Sequence, residues 1–379
     1  PAICCLKSNI GQIAAEAQEL YPDAKILSVE GLFDKANRET MLNRIATGDY
    51  DMIVMSHDNF ERMPMKPEAQ AKFIQAEIAE MDYALTRTDS ITDASIRRNS
   101  VKAIELKKKK LDAQLQKALS GGNKDNVYFE DTGIDQLFVD EAHSFKNLGV
   151  KTANQQVKGV PGVDGSNKAM DMFFKTQYLT KKHDGRGVVF ATGTPISNSM
   201  VELYNMQKYL QYDDLKERGV DNFDAWKDTY GDTTNRFEFK LDGEITATTR
   251  FAEFVNLPEL RSLASEVIDI KRASDIPGIK RPPKNDQVIS SLSTPRVEAF
   301  MEDIHQRAKS LAGKGRAGKG EDNMLSVCSD ARLGSIDERL VNKGAPDDPG
   351  SKANRIVKQV LQLYQKHDGE TQALFSDVG

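Results

Sequence analysis

The 379-residue sequence contains no run of about 18 apolar residues, so no membrane-spanning helix is expected. Its first residues, Pro1-Ala2-Ile3-Cys4-Cys5-Leu6, show no basic leader running into a signal core, and a cytoplasmic setting is expected. Cysteine is scarce: Cys4, Cys5 and Cys328 form no C-x-x-C pair, which argues against a disulfide framework or a zinc site. Positive charge is not in excess, because the net charge is −5. The chain is therefore not a basic nucleic-acid binder as a whole, and such a contact must come from a local patch. No internal repeat is visible. The first residue is not Met, and the last stretch reads as a strand entering a loop, so both ends are expected to lie inside a longer protein.

Present instead is alternation. Residues 2–6, 25–29 and 50–55 are short apolar runs separated by helical spacing at 10–20 and 35–47, the pattern of a parallel α/β sheet. Residues 67–87 and 93–119 hold no Gly, and no Pro beyond Pro67 at the first position, and predict an antiparallel helical hairpin closed by a turn at 88–93. The sheet resumes at Leu137-Phe138-Val139 and again at 187–191, with helices over 168–181 and 199–211. Residues 212–283 read as mixed polar helix and turn, with Phe223 and Trp226 as packing anchors. Further on, a strand is expected over 286–292, helices over 295–311 and 351–367, and a last strand over 371–376.

The chemistry concentrates in Val139-Asp140-Glu141-Ala142-His143, where an apolar strand ends in two carboxylates. The carboxyl end of a parallel strand opens onto a ligand crevice. There Asp140 suits a Mg²⁺ bridging nucleotide phosphates, and Glu141, with His143 beside it, suits the orientation of an attacking water. A solvated acid pair at a strand end is the bland alternative. The following strand ends at Thr192-Gly193-Thr194-Pro195, whose hydroxyls can relay a hydrogen-bonded change; Gly and Pro alone would also make it an ordinary turn.

Together these residues resemble motifs II and III of Swi/Snf-type superfamily 2 DEAH-box helicases. The first motif continues into Ser144-Phe145-Lys146-Asn147, and the second into Ile196-Ser197-Asn198 and Glu202-Leu203. Leu6-Lys7-Ser8-Asn9-Ile10-Gly11-Gln12 resembles motif Ia, and Ser351-Lys352-Ala353-Asn354 with 371–377 resembles the entry to motif IV. More narrowly, residues 254–260 and 321–325 resemble the helicase region of large phage and plasmid proteins that join a helicase to an adenine methylase. No NPPY or DPPY tetrapeptide occurs in this chain.

The resemblance implies an α/β fold with one RecA-like domain (1–62 and 129–211) split by a helical insertion (63–128). A helical connector (212–284) and the start of a second RecA-like domain (285–379) follow. It implies ATP and Mg²⁺ as cofactors, Asp140 on the metal, and a bacterial or phage-infected cell as the setting. DNA, with duplex favoured, would be the partner, contacted by Lys7, Ser8, Lys146 and Asn147. Thr192, Gly193, Thr194 and Pro195 would couple the two sites. No G-x-x-x-x-G-K-[ST] is present, and Gly313-Lys314-Gly315-Arg316-Ala317-Gly318-Lys319-Gly320 has Gly where the hydroxyl must be. The resemblance places the true P-loop before Pro1 and the arginine fingers after Gly379, so this chain alone is expected to bind ATP poorly. A nucleic-acid-binding module without ATP turnover is the alternative function. From Asp93 to Lys117 eight basic residues face three acidic ones, a solvated helix face or a DNA-tracking arm. His57, His183, His305 and His367 are read as structural or surface residues, and Cys4 and Cys5 as buried strand positions.

Overall fold

The computed structural model describes residues 1–31, 37–120, 127–153, 157–160, 165–197, 199–239, 245–278, 286, 288, 290, 292–311, 318, 321–369 and 371–375. They fall into two units, 1–236 with 248–271, and 237–247 with 272–379.

In the first unit the strands are β1 (Ala2–Cys5), β2 (Ile26–Val29), β3 (Met52–Ser56), β4 (Leu137–Val139) and β5 (Val188–Phe190). They form one parallel sheet in the order β2-β3-β1-β4-β5. This is the α/β, RecA-like architecture expected from the alternating apolar runs. Helices α1 (Ile10–Leu20), α2 (Arg38–Thr47), α3 (His57–Glu61), α4 (Pro67–Arg87), α5 (Ala94–Ser120) and α6 (Asn167–Lys182) complete the layers.

Strand period sets which side chains share a face. Ala2, Cys4, Leu27, Val29, Ile53, Met55, Leu137 and Val139 point into one large core with α4, α5 and α6. Cys5, Ile10 and Val54 face the other way and form a smaller core that includes Ile13 and Ala14 of α1. The same second face is open farther along the sheet, where the paired Phe138 and Val189 are 39% and 50% exposed. Burial pushes the Cys4 thiol far above its usual range and Cys5 up to about 11. Both are inert packing residues.

The hairpin stands as expected, with α4 and α5 joined by a 3₁₀ turn at Thr88–Ser90. Proline at the first turn of α4 lacks only an N–H that has no helical partner there. Lys108, within the basic run of α5, pairs with Asp82 of α4 at 2.5 Å.

Beyond β5 come α7 (Val201–Leu210), α8 (Tyr212–Glu217), α9 (Phe223–Tyr230), β6 (Gly231–Phe239), β7 (Ile245–Phe254) and α10 (Leu257–Ser265). Phe223 and Trp226 are fully buried anchors of this region's core. The two-stranded sheet of β6 and β7 was not expected from a stretch read as helix and turn. Its signal was present: Thr-rich alternation flanks Asp242-Gly243.

The second unit holds α11 (Pro295–Leu311), α12 (Met324–Gly334) and α13 (Lys352–Lys366). Described residues of the expected strands 286–292 and 371–376 carry no strand, and the others lie outside the described set, as does most of the loop 312–320. Among the described residues no helix is long and apolar enough to cross a membrane.

Candidate functional site

Because all five strands run parallel, their carboxyl ends lie along one edge of the sheet. That edge collects Lys7 and Ser8 after β1, His57 after β3, Asp140 and Glu141 after β4, and Thr192 to Pro195 after β5. The two motifs singled out in the sequence are neighbours in space. Ala191 donates its N–H to the Val139 carbonyl at 2.8 Å, and Ala142 donates to the Ala191 carbonyl at 3.0 Å. Gly187 makes this pairing possible at its lower end. Its φ is +92°, and an added Cβ would lie 2.9 Å from the Asp135 carbonyl oxygen.

Glu141 sits at φ 50°, ψ 46°, the left-handed region. For a residue with a Cβ this costs about 1–2 kcal/mol, and it turns the chain sharply as it leaves β4. Asp140 and Glu141 are half-buried, so their carboxylates are open to a ligand. Nδ1 of His143 lies 3.1 Å from Glu141 Oε2 and 3.2 Å from Thr192 Oγ1. One nitrogen thus faces both motifs. With its proton it donates to Glu141; without it, it accepts the Thr192 hydroxyl. Thr192 Oγ1 in turn accepts the Thr194 N–H at 3.1 Å.

The residues after the acid turn are bolted to the helix after the Thr-Gly-Thr-Pro turn. The Lys146 ammonium pairs with Glu202 at 3.2 Å and donates to the Ser197 hydroxyl. Asn205 donates to the Lys146 carbonyl at 2.7 Å, and the Ser197 N–H donates to Glu202 at 2.6 Å. The Tyr209 hydroxyl reaches the Ala169 carbonyl at 2.7 Å and the Phe145 carbonyl at 3.1 Å. A cleft of about 550 Å³ opens beside this bracket, lined by Lys146, Asn147, Gly159, Ser199, Glu202 and Arg250. Lys7, Ser8 and Asn147 are exposed, whereas Lys146 is turned inward to Glu202.

Two residues at this edge were not read as site residues in the sequence. His57 is 3% exposed and its Nε2 lies 2.8 Å from the Asp140 carbonyl. Burial lowers its pKa, with Lys168 pushing the same way and the Asp140 carbonyl pulling back. Lys168, on α6, stands 4.9 Å over the Phe145 ring. Neither carries a motif signature. Only the position of His57 at the end of an apolar strand hinted at its place.

Asp140, Glu141 and the Thr192 hydroxyl are hard oxygen donors on an open edge. Mg²⁺ is commonly held by one or two carboxylates together with substrate phosphates and water, and these residues fit that role. Among the described residues no cluster of three or more His, Cys, Asp or Glu could hold a metal by itself.

Known proteins resemble this chain over most of its length. The chain is 26% identical over 286 residues to the Defense against restriction protein B of Escherichia phage P1. The match covers 74% of this chain and 12% of that protein, so the chain corresponds to a small part of its relative's length. The family model described as a probable helicase domain matches residues 1–272, most of the chain and all of the edge just described. With its parallel sheet and its motif-bearing carboxyl edge, the chain belongs to the probable helicase domain family.

Proposed function

We propose that this chain is part of an ATP-dependent DNA translocase of the Swi/Snf type, acting in a phage or mobile-element protein that opposes restriction. The observation that carries the reading is the single His143 nitrogen within reach of both Glu141 and Thr192. Asp140 would hold the Mg²⁺ that accompanies ATP; the bound metal would neutralise charge developing on the phosphates. Glu141 would orient the attacking water and take its proton. His143 would sense that change through Nδ1 and pass it to the Thr192 hydroxyl, and so to the Thr194 backbone. The Lys146–Glu202 bracket would carry the movement into α7. Lys7, Ser8 and Asn147, exposed on the same edge, would contact the DNA backbone, and Thr194 would face it.

The phosphate-gripping loop is not among these 379 residues. Among the described residues β5 has a free edge, which supports a further strand beside it in the complete motor, and the exposed Phe138 and Val189 support a covering layer on that face. The name of the phage relative supports the anti-restriction setting, and a methylase in the same polypeptide follows from the resemblance to phage and plasmid methylase–helicases.

The test is Glu141→Gln in the full-length protein. DNA-stimulated phosphate release should fall by roughly 10²–10⁴-fold, the usual contribution of a general base. Unaltered release rules the reading out. A second reading is a DNA-binding module without turnover. It predicts salt-sensitive duplex binding with no hydrolysis in the full-length protein.

A further inference from the structure

The acid turn has a support that comes from an element with no assigned role. Helix α3 follows β3 directly, and its first residue is His57. In the strand order, β1 stands between β3 and β4. Two strand spacings make a gap of roughly 10 Å, which the turn after β3 and the side chain of the first helical residue must span together. His57 Nε2 closes it, at 2.8 Å from the Asp140 carbonyl. A carbonyl only accepts, so Nε2 carries the proton and donates. The ring is fixed by edge-on packing against Phe145, centroids 5.0 Å apart. The same helix reaches the other way. Asn59 donates to the Gly31 carbonyl at 2.7 Å and the Val29 carbonyl at 3.4 Å, at and just past the end of β2. Ser56 caps the helix by accepting the Asn59 N–H at 3.1 Å. The helix thus clips the ends of β2 and β4 to the end of β3.

The bond to Asp140 falls where it matters most. Its carbonyl lies in the peptide plane that joins Asp140 to Glu141. Fixing that plane fixes the starting point of the left-handed turn at Glu141, whose conformation is unfavourable on its own. We infer that His57 is a positioning residue, holding the Asp140–Glu141 peptide plane so that both carboxylates are presented at the sheet edge. The inference deepens the proposed function, and it rests on that reading for its kinetic consequence only.

The experiment compares His57→Leu and His57→Gln with Glu141→Gln in the full-length protein. Gln keeps an N–H donor of similar reach; Leu fills the site without one. For His57→Leu, kcat should fall roughly 10- to 100-fold, the usual effect of losing a partner that orients a site residue, with KM for ATP unchanged. His57→Gln should recover most of the loss. Adding His57→Leu to Glu141→Gln should cost nothing further, because the two act as a unit. Amide hydrogen exchange supplies a readout independent of turnover. Residues 141–146 should exchange at least ~10-fold faster in His57→Leu, while Cys4, Ile53 and Val54 stay protected. Should Leu prevent folding, His57→Asn, too short to reach the carbonyl, takes its place. Unchanged exchange over 141–146 overturns the positioning role. Unchanged kcat with Glu141→Gln inactive does so too, and leaves the proposed function standing. Full activity in Glu141→Gln removes the proposed function instead, and the exchange result still decides for or against the clip.

Discussion

Two groups of charged residues in the first unit are built to opposite plans. One joins Glu77 and Glu80 of α4 to Lys151 and to Lys208 of α7. Glu77, Lys151 and Lys208 are at most 3% exposed. Lys208 holds Glu80 at 2.7 Å and Lys151 pairs with both glutamates. The other group is Asp140, Glu141, His143 and Thr192, half-buried, with one imidazole nitrogen shared between two partners. The first group is closed and electrically complete; the lysines hold Glu80 below the usual carboxylate range against its desolvation. The second is open, strained at Glu141 and left with acceptor capacity. Closure fastens the helical insertion to α7, whereas openness leaves room for a ligand. A buried pair is costly to break, and a half-exposed acid is cheap to lose from the fold.

That contrast can be broken experimentally. Lys208→Ala should lower stability by about 3–5 kcal/mol, because it strands a buried carboxylate. Denaturant unfolding measures it, and a loss under about 1 kcal/mol would mean water reaches the cluster. A third site gives a pH signature. Desolvation raises the Asp171 carboxyl to about 6, against the pull of Lys175 at 2.6 Å. The folded state then binds this proton more tightly than the unfolded chain. Its contribution is most favourable below the usual carboxylate pKa and is lost as pH rises from about 4 to about 6. Asp171→Asn should remove that slope, a difference of up to about 3 kcal/mol between the two proteins' stability–pH curves. At the open site the sign reverses. Glu141→Gly should stabilise the fold by about 1 kcal/mol, by relieving the left-handed backbone, while abolishing turnover. Thermal unfolding and phosphate release together test it. The smallest effect belongs to the exposed Arg87–Asp228 pair at 2.6 Å. Arg87→Ala should cost no more than about 1 kcal/mol, and less at high salt.

Much of the sheet was legible because its signals are local. Apolar runs of four to six residues and the hairpin helices, free of Gly and of any Pro after Pro67, match the observed elements closely. The Asp-Glu pair and the Thr-Gly-Thr-Pro turn were readable as candidates because each sits at the end of such a run. The hairpin of β6 and β7 was overlooked because its strands are polar and half-exposed, so no apolar run announces them. Lys146 shows the limit of motif reading. Its position suggests an outward contact with DNA, yet its ammonium turns inward to Glu202, fifty-six residues later in the chain.

What the chain's order of residues determines by itself is the set of strands, the helices between them and the chemical character of each strand end, since these follow from spacing and residue type. What only the folded molecule decides is adjacency. Strand order brings His57 past β1 to the Asp140 carbonyl and sets His143 beside Thr192. Nothing local encodes those meetings. They arise because a parallel sheet gathers the ends of distant segments along one edge, and its pairing order depends on how the whole core packs.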